Sequence, residues 1–109
     1  MPRVLIVEDE PVLRMTFADF LAEEGHEVKT AENYDQAEAH FDSNPFDVIV
    51  TDVILEGKTG IDVLRRAHER LPNTAVIVAT GEPNVETAAE SVRLGAFDYL
   101  ATPVTDRDL

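Results

Sequence analysis

Short apolar runs alternate along the chain with longer stretches in which apolar residues recur at helical spacing. The run VLIV, residues 4–7, is followed by residues 11–24, where Leu13, Phe17, Phe20 and Leu21 fall three and four apart. That spacing predicts a helix with one apolar face, read as core, and Gly25 closes it as a C-cap. Residues 26–31 predict a weaker second strand. Asn33 is placed as the N-cap of a helix reaching about Asp42, with Ala37 and Phe41 on one face. After Pro45 come a strand at 47–51, a helix at 60–70 with Ile61, Leu64 and Ala67 inward, and a strand at 75–79. A helix over 85–94, capped by Gly95, and a fifth strand at 97–101 complete the pattern. Val85, Ala88, Ala89 and Val92 make the 85–94 helix less apolar than a core helix needs, so part of it is expected to face a partner.

Strands that alternate with helices predict an α/β fold: a doubly wound, five-stranded parallel sheet with helices on both faces. VLIV, VIV and AVIVA are continuous apolar runs, as strands covered on both sides should be. Residues 1–109 read as one domain. A fifth helix should follow the last strand, with roughly 10–14 residues. Only residues 105–109 remain for it, so that helix reads as truncated and the chain as a piece of a longer protein.

The 109 residues suffice for one core, burying roughly two-thirds of the unfolded chain's surface. Twenty-two acidic residues against nine Lys and Arg give a net charge of −13. That balance speaks against direct nucleic-acid binding, which needs clustered cations, and against adhesion to anionic membrane. Cysteine is absent, which excludes disulfides, thiolate metal sites and thiol nucleophiles. The first apolar run is too short for a signal peptide or a membrane span, and a cytoplasmic location is the expectation.

Parallel strands carry their ligand at the carboxyl edge. That edge here collects Glu8, Asp9 and Glu10 after the first strand and Asp52 after the third. Thr80 and Gly81 follow the fourth, and Thr102 and Pro103 the fifth. Two carboxylates about 4 Å apart repel by about 4 kcal/mol at an effective dielectric near 20. The cluster must therefore share protons or hold a cation, and all-oxygen donors suit Mg²⁺. A metal beside a carboxylate and a hydroxyl is a phosphoryl-transfer arrangement, with Asp52 as the covalent acceptor. Taken singly, Asp9 or Glu10 also reads as a favourable charge at a helix start, and Thr80 as a turn hydroxyl. His26, His40 and His68 lack metal-ligand spacing and read as surface residues.

VLIVEDE, DVIVTDVILEGKTGIDVL, VIVATG and GAFDYLATPV, in that order and spacing, resemble the receiver domain of two-component response regulators. The resemblance implies a flavodoxin-like sheet with strand order 2-1-3-4-5. It implies Asp52 as the residue phosphorylated by a histidine kinase or phosphotransfer protein. Mg²⁺ would be held by Asp9, Asp52 and the Ile54 carbonyl, with Glu8 acting through water. Thr80 would contact the phosphoryl group, Tyr99 would follow it as a switch, and Ile54 and Glu82 would tune its lifetime. The bond before Pro103 would be cis. The implied partners are the kinase and an output domain or downstream protein, and a homodimer is allowed.

Two positions depart from the family pattern: Thr102 where lysine is usual, and Glu56 where proline is usual. Thr102 offers a hydroxyl without charge, and Lys58 is the one nearby cation considered as a substitute. A degenerate receiver, serving as a scaffold that needs no phosphorylation, is therefore the alternative. A dehalogenase-like phosphohydrolase is disfavoured, because its second acid would stand where Ile54 does.

Overall fold

The computed structural model describes residues 2–42 and 45–102. Its elements in chain order are β1 (Arg3–Val7), α1 (Pro11–Glu23), β2 (Glu27–Ala31), α2 (Tyr34–Phe41), β3 (Val48–Thr51), α3 (Gly60–Arg70), β4 (Ala75–Thr80), α4 (Val85–Arg93) and β5 (Asp98–Ala101). All strand pairs are parallel and the order is β2-β1-β3-β4-β5. The expected sheet and its order are thus the observed ones. The expected start of a fifth helix and the cis bond before Pro103 lie outside the described residues.

Local signals explain the helix boundaries. Asn33 caps α2 by accepting the Gln36 N–H at 2.9 Å, and Asn84 caps α4 through Thr87 N–H at 2.8 Å. Thr59 and Asp62 form a capping box at the start of α3, satisfying donors that the first turn leaves unpaired. After α1, Gly25 takes φ +94°, a left-handed turn that an L side chain disfavours.

The two faces of the sheet are covered unequally. On one, Leu5, Val7, Ile49, Val76 and Val78 pack against Ala37 and Phe41 of α2 and Val63, Leu64 and Ala67 of α3. Leu5, Ile49, Val63, Leu64 and Val78 are fully buried there. The other face meets α1, where Phe17, Phe20 and Leu21 wall an apolar groove of about 310 Å³ with Ile6, Val50, Ala79 and Leu100. The stripe expected to be core is therefore only partly so: α1 has no fully buried residue and Phe20 is 62% exposed. A helix lying alone on a sheet face contacts the sheet along a narrow line, and its flank stays open among the described residues.

Removing side-chain volume should cost most under α2 and α3. Leu64→Ala is expected to lower unfolding free energy by about 2–5 kcal/mol, and Phe20→Ala on the open flank by less than about 1 kcal/mol. Urea denaturation of both variants measures the contrast.

Candidate functional site at the carboxyl edge of the sheet

The register brings the acidic positions together. Val7 pairs with Thr51 at the ends of β1 and β3, and the Asp52 N–H donates to the Val7 carbonyl at 3.1 Å. Asp52 therefore emerges beside Glu8. The loop after it turns back so that the Ile54 N–H donates to Asp52 Oδ1 at 3.2 Å.

A pocket of about 400 Å³ opens at this edge, lined by Glu8, Asp9, Glu10 and Leu13 on one side and Asp52 and Ile54 at its floor, with Thr80, Gly81, Glu82 and Thr102 opposite. Its lining holds five carboxylates and two hydroxyls, and no Lys, Arg or His among the described residues. All the positions expected at the site except Tyr99 and Pro103 line it; Pro103 lies outside the described residues.

Each wall has its own support. Glu10 is the N-cap of α1, accepting from Val12 N–H at 3.1 Å and Leu13 N–H at 2.9 Å, so at this position the helix-start reading holds. The Glu10 N–H in turn donates to Glu8 Oε2 at 3.1 Å. The Arg14 guanidinium donates to the Glu8 backbone carbonyl at 3.0 Å and is not among the lining groups. Thr80 Oγ1 accepts the Glu82 N–H at 3.1 Å, and the Thr102 N–H donates to the Thr80 carbonyl at 2.8 Å.

Two expected participants sit elsewhere. The Lys58 ammonium rests over the Tyr34 ring, 4.4 Å from its centroid, so the cation considered as a substitute is engaged away from the pocket. The Tyr99 hydroxyl meets Thr87 Oγ1 at 2.6 Å and accepts from the Asn84 N–H at 3.3 Å. It lies between β5 and α4, beside the groove that includes Ser91, Val92 and Phe97. Val85 and Val92 are exposed on α4, as its apolar pattern predicts. His26 and His40 are half-buried rather than on the surface: His40 Nε2 meets the Thr30 carbonyl at 3.0 Å and its ring packs edge-on against Phe46.

The electrostatic burden falls on Glu8, which is only 5% exposed. Burial pushes its carboxyl up to about 7. The charge of Asp52 and proton sharing with Asp9 and Asp52 add to the rise, and the Glu10 N–H opposes it. Ionising such a group in the folded state is unfavourable.

Comparison with known proteins agrees with this geometry. A parallel sheet of order 2-1-3-4-5 with a pocket at its carboxyl edge defines a flavodoxin-like α/β domain. The sequence matches the response regulator receiver domain family over residues 4–109, and the chain belongs to that family. It is similar to the alginate biosynthesis transcriptional regulatory protein AlgB of Pseudomonas aeruginosa, with 36% identity over 107 residues. That match covers 98% of this chain and 24% of AlgB. The chain thus spans about a quarter of that relative's length. Among solved structures, a Burkholderia pseudomallei response regulator with a phosphorylated aspartic acid, a calcium ion and citrate superposes with TM-score 0.90 at 29% identity, covering 94% of this chain and 61% of that one. The Thermotoga maritima response regulator TrrA, in complex with Mg²⁺-BeF, gives TM-score 0.86 at 28% identity, covering 96% and 90%.

The Glu8 shift predicts a pH dependence of known sign. Its folded value lies above the ordinary 4.5. Its stabilisation is therefore present below about pH 4.5, falls as pH rises towards about 7, and is gone above that, a loss on the order of 3 kcal/mol. Glu8→Gln, measured by thermal denaturation with a divalent-ion chelator present, should remove this component and flatten the profile between about pH 5 and pH 7.5.

Proposed function

We propose that this chain is a phosphoacceptor switch in which Asp52 takes a phosphoryl group from the phosphohistidine of a kinase or phosphotransfer protein. An Asp52 carboxylate oxygen attacks phosphorus, the P–N bond breaks, and its electron pair and a proton remain on the imidazole. The observation that carries this reading is the pocket itself, where Asp52 shares the lining with four other acids and two hydroxyls at the carboxyl edge of a receiver-family sheet. The Burkholderia neighbour, with its phosphorylated aspartic acid, supports it by analogy.

Mg²⁺ fits the donor set. The polar side chains of the lining are carboxylates and hydroxyls, all oxygen donors, which suits an ion that takes one or two carboxylates and fills its shell with carbonyl and water oxygens. Asp9, Asp52 and the Ile54 carbonyl would hold it, with Glu8 acting through water. When bound, the ion neutralises charge on the transferring group. Thr80 and Thr102 are the hydroxyls on the opposite wall, and a change there passes to Tyr99 and the α4–β5 surface, where an output domain, a downstream protein or a second copy would read it. Such a domain is a switch, with at most weak self-phosphorylation and self-hydrolysis.

A second reading has one specific observation behind it. Among the described residues no cation lines the pocket, so a degenerate receiver that binds its partner without phosphorylation is the alternative.

Incubation with a small acyl phosphate and Mg²⁺ separates the two. Mass spectrometry should show one added phosphoryl group that disappears in Asp52→Asn. Thr102→Lys should raise the phosphorylated fraction roughly ten- to a hundredfold, because a hydrogen bond to a charged group contributes about 1.5–3 kcal/mol. An absent mass gain, together with partner affinity indifferent to Asp52→Ala, favours the scaffold.

A further inference from the structure

The backbone around Asp52 is held on sides that its carboxylate does not use. Its N–H is fixed by the Val7 carbonyl at 3.1 Å. Its own carbonyl accepts a hydrogen bond from Thr51 Oγ1 at 3.0 Å, and Thr51 is fully buried. Against that same carbonyl lies Gly60, the first residue of α3: a Cβ built on Gly60 would stand 1.7 Å from the Asp52 oxygen and 2.7 Å from its carbon. The Gly60 N–H donates to the Val53 carbonyl at 2.8 Å, so α3 is tied to the peptide just beyond.

A buried hydroxyl here has a specific employment. Thr51 sits at the end of a strand whose other inward residues are apolar, and valine would fill the same volume. We propose that Thr51 and Gly60 are positioning residues, clamping the Asp52 carbonyl between a buried hydroxyl and the start of α3. They thereby set where the Asp52 carboxylate stands relative to Glu8 and Asp9. This rests on the reading of Asp52 as the acceptor and metal ligand. The clamp acts through the backbone, so it leaves no acidic or basic signature of its own.

Thr51→Val removes the hydroxyl at nearly constant volume, Thr51→Ser keeps it, and Gly60→Ala forces the carbonyl to move. Magnesium titration by calorimetry should show affinity reduced about tenfold in Thr51→Val and Gly60→Ala, the low end of what outer partners of a metal ligand contribute. Thr51→Ser should stay within about twofold of the parent. A residue with a purely structural role would lower the melting temperature and leave the affinity of the folded protein unmoved. Thr51→Val that folds and binds Mg²⁺ as the parent does overturns the clamp, even if Gly60→Ala fails to fold. In metal-free protein, the Asp52 amide should lose about tenfold hydrogen-exchange protection in Thr51→Val, whereas the Ile49 amide keeps its protection. Unchanged protection at Asp52 also overturns the clamp. A parent protein that takes up no Mg²⁺ refutes the metal reading of the pocket instead, and exchange at Asp52 then decides the clamp alone.

Discussion

Parallel pairing of β1 with β3 is the constraint from which the rest of the molecule follows. Once Val4 lies beside Val48 and Val7 beside Thr51, Glu8 and Asp52 must leave the sheet as neighbours. The apolar faces of the two strands set that register, since slipping by one residue would turn Leu5, Val7 and Ile49 away from α2 and α3. The carboxylates take no part in choosing it. Core packing thus holds like charges together against their own repulsion.

The repulsion is distributed unevenly. Glu10 is drawn away into the first turn of α1, where N–H groups and the helix dipole favour an anion. Asp9 remains exposed and Asp52 half-buried. Glu8 is closed in, and it is the carboxyl that resists ionisation. The Glu10 N–H favours its charged form, whereas the Arg14 guanidinium reaches its backbone rather than its side chain. A site built this way favours a cation in the pocket, because an incoming positive charge relieves strain already present.

Much of the architecture was legible in the sequence. Alternation of apolar runs with 3.6-residue periodicity named every described strand and helix to within a residue or two. The carboxyl-edge rule alone collects Glu8, Asp9, Asp52, Thr80 and Thr102. The failures have physical reasons. Phe20 carries the periodicity of a core residue, but burial depends on what covers the helix flank, and periodicity is silent about that. Thr51 reads as an ordinary β-branched strand residue and Gly60 as an ordinary helix start. Their closeness to the Asp52 carbonyl is a property of packed backbone with no pattern in composition. Lys58 stands six residues after Asp52, close in sequence, yet a π-face at Tyr34 holds it elsewhere.

The two aromatic hydroxyls carry a practical consequence. The chain has no tryptophan and two tyrosines, and they stand in different surroundings: Tyr34 beneath the Lys58 ammonium, Tyr99 bonded to Thr87. Tyrosine fluorescence from this chain therefore has two sources, one tied to the loop after β3 and one to the join of β5 and α4. With either phenol replaced by phenylalanine, the remaining one becomes an intrinsic optical reporter of its own end of the molecule, and no dye need be attached.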